Sequence, residues 1–155
     1  MSLDRPWLLS YPKNIPATID VDEFASIVAV LKNACDKYSD NPAFANFGKT
    51  ISYADVDRLS TQFANYLVHD LKLKKGDRVA LMMPNILQYP IAIFGVLRAG
   101  LTVVNTNPMY TARELKHQLV DSGAKVIVVM EMFAHTVADV VKDTAIQQVI
   151  TTCVG

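Results

Sequence analysis

Apolar positions along the chain change their period twice. From Asp22 to Tyr38, apolar or small residues recur every three or four positions: Phe24, Ile27, Val28, Leu31, Cys35 and Tyr38. That is one stripe of an amphipathic helix. Asp22 is its expected N-cap, and Ser39-Asp40-Asn41-Pro42 its stop. Two short runs, Ala43 to Phe47 and Thr50 to Tyr53, flank Gly48-Lys49 and predict a hairpin. Ser52 with Asp55 three residues on is a variant capping box. It opens a helix whose inner stripe is Val56, Leu59, Phe63, Leu67 and Leu71. Lys72 to Gly76 closes that helix with positive charge, which suits a helix C-terminus.

The period then shortens. Arg78 to Met83 reads as a strand, and a nearly all-apolar helix runs to Leu97, with Asn85 as its expected cap and Pro90 in its first turn. Leu101 to Asn105 is a second strand. Thr111-Ala112-Arg113-Glu114 is a full capping box, and its helix turns Leu115, Leu119 and Val120 inward before Ser122-Gly123 ends it. Lys125 to Val129 is a third strand, fully apolar from Val126 on, as expected where helices cover both sheet faces. Val137, Val140 and Val141 line a last helix, and Gln148 to Cys153 is a fourth strand. Strands alternating with helices at this spacing predict βαβ units. The expected fold is therefore an α/β, Rossmann-like subdomain with a mostly parallel sheet flanked by helices, plus an N-terminal helix and a short hairpin.

Residues 1–21 carry Pro6, Pro12 and Pro16 and show no period, so they predict an extended arm ahead of a subdomain spanning 22–155. Trp7, Leu8, Leu9 and Tyr11 make the arm apolar enough to dock on this subdomain, on further sequence, or on a second subunit. Two features suggest that the protein continues beyond 155. The central helix is apolar all round, and the βα pattern calls for another helix after the last strand.

Composition narrows the classes. Fifteen basic and fifteen acidic residues cancel, with no run of one sign, so there is no electrostatic footprint for nucleic acid. Cys35 and Cys153 lie far apart, without the spacing of a disulfide framework or metal site. This suits a reducing cytoplasm. His69, His117 and His135 are equally scattered. Gly48-Lys49-Thr50 looks like the end of a phosphate-binding loop, but position 43 is alanine and a strand follows, so it predicts no nucleotide site. No G-x-G-x-x-G follows any strand. Ligands of open α/β sheets bind outside the carboxyl ends of the strands. Here those ends are Pro84-Asn85, Asn105 to Pro108 and Met130 to Met132, which supply amides and a hydroxyl but no set of acid, base and nucleophile. No catalytic residue and no metal ligand is assigned.

Several pieces in order carry a resemblance: Lys75-Gly76-Asp77-Arg78-Val79-Ala80-Leu81-Met82-Met83-Pro84-Asn85, Gln88-Tyr89-Pro90, Arg98-Ala99-Gly100, and Asn105 through Leu115. Trp7-Leu8, Tyr11-Pro12, Asn41 to Phe44, Asp121 to Ala124 and Phe133 to Thr136 extend it over nearly the whole chain. Together they resemble the early part of AMP-forming acyl-CoA synthetases of the adenylate-forming superfamily, most of all bacterial long-chain fatty acid–CoA ligases. The resemblance implies a longer parent enzyme that activates a fatty acid with ATP and Mg²⁺, forms an acyl-adenylate and transfers the acyl group to CoA. It places that family's phosphate loop and catalytic lysine downstream, so the present residues are expected to be inactive alone. It also implies that the loops after these strands face the CoA side, which makes Asn105, Thr106, Asn107 and His135 cofactor-side candidates. The expected location is cytoplasmic, with peripheral contact at the inner membrane face and self-association through exposed apolar faces left open. A stand-alone binding or assembly module, or an adenylating enzyme for another carboxylic acid, remains an alternative.

Overall fold

The computed structural model describes residues 5–154. The order of elements is α1 (Ile27–Tyr38), β1 (Pro42–Asn46), β2 (Lys49–Ser52), α2 (Tyr53–Asn65), β3 (Arg78–Met82), α3 (Gln88–Arg98), β4 (Thr102–Asn105), α4 (Ala112–Ser122), β5 (Val126–Met130), α5 (Ala134–Val140) and β6 (Gln148–Thr152). Strands β3 to β6 form a four-stranded sheet in the order β4-β3-β5-β6, every pairing parallel. Strands β1 and β2 pair antiparallel as a separate two-stranded sheet.

The expected apolar strands are buried from both sides because the sheet separates two cores. On one face Val79 and Leu81 of β3 and Val126 and Val128 of β5 meet Leu67, Ala92 and Val96 from α3 and the end of the α2 helix. On the other, Ala80, Met82, Ile127 and Val129 meet Leu115 and Leu119 of α4 and Val137 and Val140 of α5. Alternation along each strand divides its side chains between the two cores. A third, smaller cluster of Leu31, Cys35 and Val56 joins α1 to α2.

Several local expectations are corrected. The arm is not wholly extended: Pro6–Ser10 makes one 3₁₀ turn, with Pro6 at the first position, where a missing N–H costs nothing. Helix α1 begins at Ile27, capped by Ser26 rather than Asp22; the Ser26 hydroxyl accepts from the Ala29 N–H at 3.1 Å. Asp22 lies in a turn instead, its own N–H donating to the Asp20 carboxylate. Of the expected α1 stripe only Leu31 and Cys35 are buried, in a small cluster with Val56 of α2 and Phe94 of α3. The hairpin turn is Phe47-Gly48, not Gly48-Lys49: Asn46 pairs with Lys49, leaving two residues with φ of 46° and 74°. Two positive φ angles are the signature of a primed turn, whose twist matches its strands.

The capping boxes behave as read. In Ser52/Asp55 and Thr111/Glu114 both reciprocal bonds form. The helix after Ser52 does not stay regular to Leu71, however. A π turn spans Tyr66–Asp70, and the Leu71 N–H reaches the Tyr66 carbonyl at 3.1 Å. Asn85 does not cap α3. The chain makes a turn through Ile86, whose N–H donates to the Pro84 carbonyl, and the helix starts at Gln88 with no side-chain cap. Pro90 does fall in the first turn. Val120 is 55% exposed, so the inner face of α4 is Leu115 and Leu119. The arm's Trp7, Leu9 and Tyr11 are exposed.

Close approach of α2 and α3 depends on Gly95. A Cβ there would lie 2.6 Å from Cδ1 of Phe63 and 3.1 Å from the Ser60 carbonyl oxygen. The two helices are also joined by an ion pair between Arg98 and Asp57.

Candidate functional site

The strand order reverses between β3 and β5, since the crossover after β3 goes to one side and the next passes over to the other. Such a switch point leaves a crevice beyond the carboxyl ends of the strands. Here it is bordered by Pro84-Asn85 after β3 and by Glu131 after β5, with the β4 end alongside.

The predicted residues Asn105, Thr106 and Asn107 lie together at the end of β4. Each has a local partner. The Asn105 side-chain carbonyl accepts from the Tyr89 hydroxyl at 2.7 Å. Thr106 is buried; its N–H continues the ladder to the Leu81 carbonyl at 3.0 Å, and its hydroxyl donates to the Val104 carbonyl. The Asn107 side chain accepts from the Met109 N–H at 3.0 Å, which closes the turn into α4. His135 is exposed in the first turn of α5, beyond the end of β5 and thus two strands away.

Two residues outside the predicted set complete the β4 end. Tyr89, from α3, holds the Asn105 amide. Gln118, from α4, donates to the Asn105 backbone carbonyl at 3.0 Å, while its own carbonyl oxygen is buried without a partner. In the sequence Gln118 reads as part of an outer face, and nothing in its spacing reveals this contact. A further amide, Asn46 of the hairpin, donates to the Asn85 carbonyl at 3.3 Å and ties the hairpin to the loop after β3.

Perturbed carboxylates serve structure. The Asp55 carboxyl is held below its ordinary range by Arg58 and then by Ser52. Glu114 is lowered by Thr111, its capping partner. Asp77, at the start of β3, is lowered by the Lys125 ammonium 2.7 Å away and by the Lys74 N–H. Burial pushes the Cys35 thiol up, which keeps it protonated and unreactive. Among the described residues no three His, Cys, Asp or Glu side chains lie close enough to hold a metal ion. The described groups at the carboxyl edge are amides, one hydroxyl and, after β5, the separate Glu131 and His135 side chains. This set does not fit the phosphates and Mg²⁺ of a bound ATP.

The family described as AMP-binding enzyme matches residues 31–154. The chain belongs to the AMP-binding enzyme family. Within it, the chain is 52% identical over 153 residues to a long-chain-fatty-acid–CoA ligase of Yersinia pestis, a match covering 99% of this chain and 27% of that protein. It therefore spans about a quarter of that relative's length and aligns with its N-terminal part. Among solved structures, a long-chain-fatty-acid-CoA ligase from Archaeoglobus fulgidus superposes with a TM-score of 0.74 at 24% identity, covering 82% of this chain and 27% of that one. An anthranilate CoA ligase superposes with a TM-score of 0.79 at 18% identity, covering 83% and 25%. At these identities the superpositions establish the fold. They confirm the α/β fold, whose parallel sheet lies between helices.

Proposed function

We propose that the chain is the N-terminal portion of an AMP-forming ligase that joins long-chain fatty acids to CoA at the expense of ATP, with Mg²⁺ as the nucleotide's counter-ion. The observation that carries this reading is the 52% identity, sustained over 99% of the chain, to a relative of that name. On this reading the segment contributes scaffold. Among the described residues its carboxyl edge brings no nucleophile together with an acid and a base, and its perturbed carboxylates sit in caps and ion pairs. Asn105, Asn107 and His135 are exposed on that edge, which supports contact with CoA; buried Thr106 supports only a positioning role for the β4 end.

The test is direct. The longer protein should form oleoyl-CoA from oleate, ATP and CoA, and the chain of residues 1–155 should form none. Turnover of benzoate in preference to oleate would move the reading to an adenylating enzyme for another acid. Failure with every acid, together with a frame that stops at 155, would leave a stand-alone module. Cytoplasmic location, with peripheral contact at the inner membrane face, belongs to the same proposal; no helix among the described residues is long and apolar enough to cross a membrane. So does self-association through exposed Trp7, Leu9 and Ile19. A sedimentation profile that stays monomeric at high concentration would remove that last point.

A further inference from the structure

We propose that Tyr89 and Gln118 are positioning residues for CoA capture, holding the end of β4 from opposite faces of the sheet so that Asn105 is fixed before the cofactor arrives. The CoA role rests on the function proposed above; the two contacts belong to this chain whatever its substrate. Strand β4 lies at the edge of the sheet and pairs with β3 alone, its last pair being Asn105 opposite Leu81. A strand end with a single neighbour frays unless other groups hold it. Here two helices do so. The Tyr89 hydroxyl, from α3, donates to the Asn105 side-chain oxygen at 2.7 Å. The Gln118 amide, from α4, donates to the Asn105 backbone carbonyl at 3.0 Å. Helices α3 and α4 pack into different cores on the two faces of the sheet. Asn105 is thus gripped from both faces, once by its side chain and once by its backbone. With its side-chain oxygen engaged by Tyr89, the end of the amide left to meet a ligand is its N–H₂.

Stability does not account for Gln118. Its side-chain carbonyl oxygen is buried without a partner among the described residues. An orphaned buried acceptor destabilises a fold. Methionine, of similar length and flexibility, would fill the same space without one. The amide is explained by its other end, which is the group that reaches Asn105. Local rules of this kind are broken where function requires it. A ligand group held in advance loses less freedom on binding, so the bracket acts on affinity for CoA and not on the chemical step.

The experiment measures initial rates of the longer protein with CoA varied at saturating ATP and oleate. Tyr89→Phe and Gln118→Met are compared with the native protein, and Tyr89→Phe is repeated in an Asn105→Ala background. Each single variant should raise KM for CoA roughly fivefold, the effect of one net hydrogen bond. The kcat at saturating CoA and the KM for ATP should move by less than about twofold. In the Asn105→Ala background Tyr89→Phe should add nothing, because its partner oxygen is already gone. Thermal unfolding of the 155-residue chain supplies the second readout: Gln118→Met should melt no lower than the native chain, since the orphaned oxygen leaves with the bond. A lower melting temperature in Gln118→Met, or equal changes in every kinetic constant, would mark the pair as structural and overturn the proposal. So would a full Tyr89→Phe effect without the Asn105 side chain. Native turnover whose KM for CoA ignores both variants refutes this proposal alone. Absence of CoA-dependent turnover in the native longer protein refutes the ligase reading and the CoA role with it.

Discussion

Replacing Gly95 by alanine sets two opposed effects against each other. In an exposed helix the change stabilises, because alanine exceeds glycine in helix propensity by ~1 kcal/mol. At Gly95 the new methyl would sit 2.6 Å from Phe63 Cδ1, 3.1 Å from Phe63 Cβ and 3.1 Å from the Ser60 carbonyl oxygen. Carbon atoms in favourable contact lie roughly 3.5–4.0 Å apart, so the ring would have to retreat by most of an ångström. Its Cβ and the Ser60 carbonyl are anchored in α2 and yield little. Overpacking of this kind costs about 1–3 kcal/mol. The balance is a net loss of about 1 kcal/mol for Gly95→Ala. In a chain of this size that lowers the melting temperature by roughly 2–4 °C. Urea and thermal unfolding followed by far-UV circular dichroism measure it. The control is the same substitution in a Phe63→Ala background. There the clash with the ring is gone while the contacts with Cβ of residue 63 and the Ser60 carbonyl remain, so the loss caused by Gly95→Ala should shrink. If Gly95→Ala stabilises the otherwise native chain, the tight α2–α3 approach is wrong.

Arg78 donates from Nε to the Ser122 carbonyl at 2.9 Å and from Nη2 to the Gly123 carbonyl at 3.0 Å, which satisfies two carbonyls at the end of α4. Arg78→Met should cost about 2 kcal/mol in urea unfolding; no change would mean that solvent serves these carbonyls equally well. The Asp77 carboxyl is lowered from its ordinary value near 3.8, so it stabilises the fold above that pH and loses this contribution as pH falls through its lowered value. Asp77→Asn should therefore be less stable than the native chain at pH near 6, and the gap should close in more acidic solution. A gap that persists into strong acid would refute the ion pair with Lys125. Thr111→Ala removes the hydroxyl of the α4 capping box and should cost about 1 kcal/mol.

The sequence determined the elements whose signal is local. A capping box is two side chains three residues apart, and both boxes formed as read. The apolar β3 and β5 strands flanked by helical periods predicted a sheet covered on both faces, and their side chains divide between two cores. The motif order from Lys75 to Leu115 pointed to the family that the match over residues 31–154 then showed. Tertiary structure decided what local signals leave open. Asp22 and Ser26 are both competent caps, and the helix begins after Ser26, one turn before Leu31 and Cys35 pack against Val56 of α2. Strand pairing placed the turn at Phe47-Gly48, since register is set by two strands together and not by either alone. The same holds at the candidate site. The asparagines after β4 are visible in the sequence, but Tyr89 and Gln118 reach Asn105 from two different helices, at 16 and 13 residues' separation. Contacts of that kind arise only when packing brings separate helix faces to one strand end, so no spacing rule along the chain encodes them.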